Sequence, residues 1–209
     1  MNKVSFLLLI IFFTAPFAFS QDYYATTIYP FKLILEEILG ESGTVYTILP
    51  PGASPHTYQL KPSDLRHVTN ARALIIGGHG LDDWAFDLQH KHLISLLDVI
   101  SHSELLYQGE DKGNEIEYKE EKYHNHHHHK TDFNPHFWTN PLTVKVLLDS
   151  LVNEMMIDYP ESRKLYEENK KTFASALDSL HEQIDKMLVG VKGSKVMLSH
   201  PFYDYFFNQ

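Results

Sequence analysis

The chain has 209 residues, with 27 acidic against 18 basic side chains, a formal charge of −9, 14 histidines and no cysteine. That acidity argues against nucleic acid and anionic membrane surfaces as partners. The lack of cysteine excludes disulfides, thiolate metal sites and a lipid-modified amino-terminal cysteine together, so any metal site must use histidine and carboxylate.

Residues 1–20 read as a secretory signal peptide. Lys3 supplies the positive start, Phe6 to Phe13 an uninterrupted apolar run, and Ala18-Phe19-Ser20 a small-x-small cleavage site. Thr14 and Pro16 break the run, which is shorter than the roughly 20 residues that span a bilayer. Cleavage would start the mature chain at Gln21 and, by removing Lys3, take the formal charge from −9 to −10. The reading is a diffusible protein in a periplasm.

Beyond the leader, strand-like and helix-like segments alternate, the pattern of an α/β fold with a mostly parallel sheet covered by helices. Tyr23 to Ile28 is a β-rich start. After Pro30 comes a helical stripe of Phe31, Ile34, Leu35 and Ile38 that ends at Gly40. Thr44 to Leu49 is the next strand, stopped by Pro50-Pro51-Gly52. Pro62-Ser63-Asp64 opens a short helix with Ser63 as its expected N-cap. Ala73 to Ile76 is a third strand, halted at Gly77-Gly78, and Leu96 to Ile100 a fourth.

Residues 107–131 are polar, charged and histidine-rich, with little to bury, and are expected to form a long mobile loop inserted in the domain. The loop contains five histidines, His124, His126, His127, His128 and His129, a dense set of exchangeable ligands for a divalent cation. Asn140-Pro141 starts an amphipathic helix with Val144, Leu147, Leu148, Leu151, Val152 and Met155 on one face. Pro160 breaks it. A longer helix is expected over Glu161 to Leu188, with Leu165, Thr172, Ala176, Leu180, Ile184 and Met187 as its apolar stripe. Lys195 to Leu198 then reads as one more strand. The domain reading is a metal-binding lobe over 21–158, a connecting helix over 161–190, and the start of a second lobe over 193–209.

Three histidines stand where a parallel sheet makes its sites, beyond strand carboxyl ends. His56 follows Thr44 to Leu49, His136 follows the loop after Leu96 to Ile100, and His200 follows Lys195 to Leu198. Each adjoins a proline, Pro55, Pro135 or Pro201, whose fixed φ limits the freedom of the loop that aims the imidazole. His79, His90, His92 and His102 are dispersed and read as surface or packing residues. Trp84, Phe137 and Trp138 read as packing groups. His181-Glu182 lacks the second histidine of a zinc-protease motif, because Asp185 stands in its place.

Three longer matches surround these histidines. They are Pro50-Pro51-Gly52-Ala53-Ser54-Pro55-His56 with Lys61-Pro62-Ser63-Asp64, Asn134-Pro135-His136-Phe137-Trp138 with Asn140-Pro141, and His200-Pro201-Phe202-Tyr203-Asp204-Tyr205-Phe206. In these the chain resembles the solute-binding proteins of the zinc and manganese ABC importers. The resemblance implies His56, His136 and His200 as metal ligands, and the 124–129 tract as accessory metal capture. It implies zinc as cargo with manganese as the alternative, and a membrane ABC permease as partner. Imidazole ligation independently favours zinc, since manganese prefers oxygen.

Two departures stand out. Members of the family are usually longer, with a full second lobe that closes the cleft and supplies a fourth ligand, commonly an aspartate. Here only its start is present, so the segment from Lys195 to Phe207 is expected to leave an exposed apolar edge, and the chain to bind zinc more weakly than a full-length relative. Gly80-Leu81-Asp82-Asp83-Trp84 also carries Asp83 where the family typically has glutamate. Two other function classes compete. One is a secreted histidine-rich zinc buffer or chaperone in which the tract does the binding. The other is a zinc hydrolase, which needs a carboxylate base beside the ion.

Overall fold

The computed structural model describes residues 23–107, 133–158 and 160–208. The expected leader and the histidine tract at 124–129 lie outside the described residues. Four short strands, β1 (Tyr23–Thr26), β2 (Thr44–Thr47), β3 (Leu74–Ile76) and β4 (Leu93–Ser95), form one parallel sheet in the order β2-β1-β3-β4. The chain steps from β1 outward to β2, then crosses back to β3 on the other side of β1. Such a reversal opens a crevice at the strands' carboxyl ends.

Six α-helices complete the described fold: α1 (Tyr29–Leu39), α2 (Pro62–Asn70), α3 (Leu96–Val99), α4 (Pro141–Asp158), α5 (Arg163–Leu188) and α6 (Asp204–Phe207). Successive strand side chains point to opposite faces, and both faces are covered, as an all-parallel sheet requires. Tyr24, Ile75 and Ile94 enter the larger core with α1, α4 and α5. Ala25, Leu74 and Ile76 enter a smaller one with Val68 of α2. The protein is thus α/β, a parallel sheet with helices on both faces. None of the helices among the described residues is long and apolar enough to cross a membrane.

The expected faces of α1 and α4 are the buried ones: Phe31, Ile34, Leu35 and Ile38 in α1, and Val144, Leu147, Leu148, Leu151, Val152 and Met155 in α4. Pro141 occupies the first turn of α4, and Asn140 caps it by accepting a hydrogen bond from the Leu142 N–H at 2.8 Å. Gly78 shows why the third strand stops at glycine. Its φ is +117°, and a Cβ there would meet the Ser95 Oγ at 2.8 Å.

Several expectations need correction. Leu96 to Ile100 is not a strand: β4 is the preceding segment, and the Ile100 N–H turns back to the Leu96 carbonyl to make α3. A short apolar run has no periodicity that separates the two outcomes. Ser63 does not cap α2; Lys61 holds the cap position and the Asp64 carboxylate accepts its N–H. In α5 the buried face carries Tyr166 and Leu177, with Phe173 and Ala174 packed beside them, whereas Leu165, Thr172, Ala176, Leu180 and Met187 are exposed. The aromatic anchors decide the rotation of the helix, and Asn169 on their side donates to the Ile38 carbonyl at 2.9 Å.

Lys195 to Leu198 likewise forms no strand. A strand exists only by pairing, and this segment pairs with no other among the described residues; Met197 is 97% exposed. In place of the expected strand edge, Val196, Met197 and Phe207 are exposed apolar side chains, and Val196 and Phe207 line a groove with Leu106, Ile184 and Leu188. The last turn behaves differently: Tyr205 is 2% exposed and belongs to the larger core.

Candidate metal centre

His56, His136 and His200 converge. One nitrogen from each ring lies within 4.8 Å of the others, and the Nε2 atoms of His136 and His200 are 3.2 Å apart. Two Zn–N bonds of about 2.05 Å at a tetrahedral angle separate their nitrogens by about 3.3 Å. The observed spacing therefore suits two ligands of one ion. The three rings meet edge to face, with centroids 4.8 to 5.8 Å apart.

Each histidine arrives by a different route. His56 sits on the 3-10 turn Pro55–Thr57, on the connection that leaves β2. Trp84, from the segment after β3, donates its indole N–H to the Pro55 carbonyl at 2.7 Å and so ties that turn to the next connection. Behind the turn, Asp64 accepts from the Tyr58 hydroxyl at 2.8 Å and from the Lys61 N–H at 2.9 Å, which accounts for Lys61-Pro62-Ser63-Asp64 following His56 so closely. The carboxylate at Tyr58 and the burial of the ring leave the Tyr58 hydroxyl pKa at about 12, burial being the larger cause.

His136 is buried just before α4, and its neighbours Phe137 and Trp138 pack on Phe31 of α1. Its imidazole pKa is lowered to about 4, first by burial and then by the neighbouring His200 and His56. At neutral pH it is therefore an uncharged Lewis base, the form that binds a metal. His200 is exposed and extended, in front of Pro201, and Phe202 leans over the His136 ring at 5.2 Å.

The segment after His200 is held by hydrogen bonds rather than by sheet pairing. The Tyr205 hydroxyl donates to the Asn134 carbonyl and accepts from the Leu106 N–H, both at 2.9 Å, and Asn140 donates to the Tyr205 carbonyl at 3.1 Å. Asn134 reaches the same segment through its side chain. These contacts anchor the segment in place of the strand pairing it lacks.

Among the described residues, the other histidines lie outside this cluster. His79 stacks on Phe86 and contacts Asp83, His90 faces the Ala71 and His92 carbonyls, and His102 packs on Phe133. Asp83, at the family's glutamate position, accepts from the Gly80 N–H and pairs with His79. Its neighbour Asp82 is the structural carboxylate. Fully buried, it accepts from Thr27, Gly77 and Gly78, and desolvation raises its pKa against those hydrogen bonds. Sequence reasoning overlooked the supporting roles of Asn134, Trp84, Asp64 and Tyr205, although Asn134, Asp64 and Tyr205 all lie inside the quoted motifs. Trp84 was expected only to pack.

Comparison with known proteins agrees with this architecture. A metal-binding protein of Thermotoga maritima, itself described as putative, is 27% identical over all of this chain and 68% of its own length. The high-affinity zinc uptake system protein ZnuA of Yersinia pestis is 26% identical over 92% of the chain and 64% of its own length, so the chain spans about two-thirds of these relatives. A ZnuA deletion mutant crystallised with zinc bound superposes with a TM-score of 0.73 at 24% identity, over 90% of this chain and 66% of that one. The model of the family described as zinc-uptake complex component A, periplasmic, matches residues 25–209, and the chain belongs to that family.

Proposed function

We propose that the protein captures a zinc ion outside the cytoplasm with His56, His136 and His200 and delivers it to the permease of an ABC-type importer. The observation that carries this reading is the convergence of three ligand nitrogens within 4.8 Å. All three donors are imidazoles, which favours zinc over manganese. A tetrahedral ion held this way has one further position, open to water or to a carboxylate. The names of the relatives, zinc uptake and zinc binding, support the same cargo.

In this reading residues 1–20 direct export to the periplasm and are removed, residues 21–158 form the metal-binding lobe, 161–190 connect, and 193–209 begin a second lobe. The tract His124, His126, His127, His128 and His129 raises the local ion concentration near the site. A hydrolase would need a free carboxylate base at the ion. Asp64, Asp82 and Asp83, on the connections after β2 and β3, are each committed to hydrogen bonds of the scaffold, and Asp204 accepts from Asn134. Binding rather than catalysis is the function this arrangement supports.

The test is competitive zinc titration of the mature chain with and without residues 124–129, beside a His136→Ala variant. One tight equivalent that survives loss of the tract and weakens by about a hundredfold or more in His136→Ala is the expected result. Loss of all binding with the tract would instead make this chain a histidine-rich buffer.

A further inference from the structure

Asn134 is 1% exposed, and both polar atoms of its side chain are engaged. Its Oδ1 accepts from the His136 backbone N–H at 3.0 Å and lies 2.8 Å from His136 Nδ1. Its Nδ2 donates to the Pro201 carbonyl at 2.8 Å and to Asp204 Oδ2 at 3.0 Å. A backbone N–H can only donate and a backbone carbonyl can only accept, so these two main-chain contacts determine which way the amide points. With Oδ1 facing the ring, His136 Nδ1 must carry the hydrogen. The lone pair then sits on Nε2, the atom 3.2 Å from His200 Nε2. The other end of the same planar amide grips the turn that begins directly after His200.

We propose that Asn134 is a positioning residue that couples two ligands: it sets the tautomer of His136 and docks the segment presenting His200. This rests on the reading of the three histidines as a cation site. A carboxamide suits this place because it offers an acceptor at one end and a donor at the other, held apart by a rigid plane. An aspartate would satisfy His136 equally well but would face Asp204 and the Pro201 carbonyl with a second acceptor, releasing the segment while keeping the tautomer.

The experiment therefore exchanges the partners, using the full mature chain. In Asn134→Asp without metal, backbone amides of residues 202–207 should lose about tenfold in hydrogen-exchange protection, the effect of two broken hydrogen bonds, while those of α1 and α4 keep theirs. Zinc affinity should fall by about 10- to 100-fold, as for other groups that orient a ligand. Asn134→Asp combined with Asp204→Asn puts a donor back across the Asp204 contact but not at the Pro201 carbonyl, and should recover part of both losses. Independently of any variant, nitrogen NMR of the metal-free wild type should show His136 protonated at Nδ1.

Full protection of 202–207 in Asn134→Asp, no recovery in the double exchange, or a dominant Nε2–H tautomer would each overturn the proposal. Protection and tautomer are read without metal. A wild type that shows both but takes up no zinc at the histidines would thus refute the cation reading and leave the coupling standing.

Discussion

His136 and His200 bring their ring nitrogens to 3.2 Å of each other from opposite kinds of support. His136 is 2% exposed, just ahead of an 18-residue helix whose apolar face fills the larger core. His200 is exposed, at the end of a stretch with no sheet partner among the described residues, and depends on Tyr205, Asn134 and Asn140 for its place. Packing of a whole helix face holds one histidine, and a single buried tyrosine with a few directional hydrogen bonds holds the other. Local opening should follow the second kind of support, because the free energy needed to detach a segment scales with the buried contacts it gives up.

Three measurements can break or sharpen this contrast. The largest effect is expected in the packed region. Leu147→Ala, at a fully buried site on α4, should destabilise the protein by about 2 to 5 kcal/mol, while Met197→Ala on the exposed stretch should change stability by less than about 0.5 kcal/mol. Thermal or urea unfolding reads both, and equal losses would mean that the Lys195 to Leu198 stretch is packed in solution.

A smaller effect is expected at the His56 turn. Trp84→Phe keeps most of the apolar bulk but loses the hydrogen bond to the Pro55 carbonyl, worth about 0.5 to 1.5 kcal/mol, so zinc affinity should fall by about two- to tenfold with the fold unchanged. Unaltered affinity would show that proline and packing alone aim His56.

The smallest effect is a slope with pH. His136 has its pKa lowered to about 4 by burial, then by His200 and His56, so the unfolded chain, with an ordinary histidine value, takes up this proton first on acidification. The stability this group contributes is present above about pH 6.5 and is lost as the pH falls towards 4. Melting temperatures of the metal-free wild type should decline across that window more steeply than those of His136→Gln. Parallel profiles would show that water reaches the ring in solution.

Much of the architecture was legible along the chain. The α4 face was readable because six apolar residues recur at helical spacing over a segment long enough to average out exceptions, and the proline-framed histidines because proline limits the loop beside each one. The rotation of α5 was not, since its sequence offers two apolar stripes and only packing of Tyr166, Phe173 and Leu177 against the larger core selects between them. Leu96 to Ile100 was misread because five apolar-rich residues satisfy either geometry. Lys195 to Leu198 has the composition of a strand, but strand formation depends on a neighbour that a local pattern cannot supply.

By itself the sequence determined the α/β class, the donor chemistry available to a metal and the three histidines able to supply it, because composition and periodicity are local properties. Only the tertiary structure decided that the three meet, since they are separated by 80 and 64 positions along the chain and reach one point from a turn after β2, the start of α4 and a docked terminal segment. It also decided which groups aim them. A hydrogen bond such as Asn134 to Asp204 needs both atoms at 3.0 Å, and that distance is set by the packing of the larger core, where Tyr205 anchors one side and Phe137 the other.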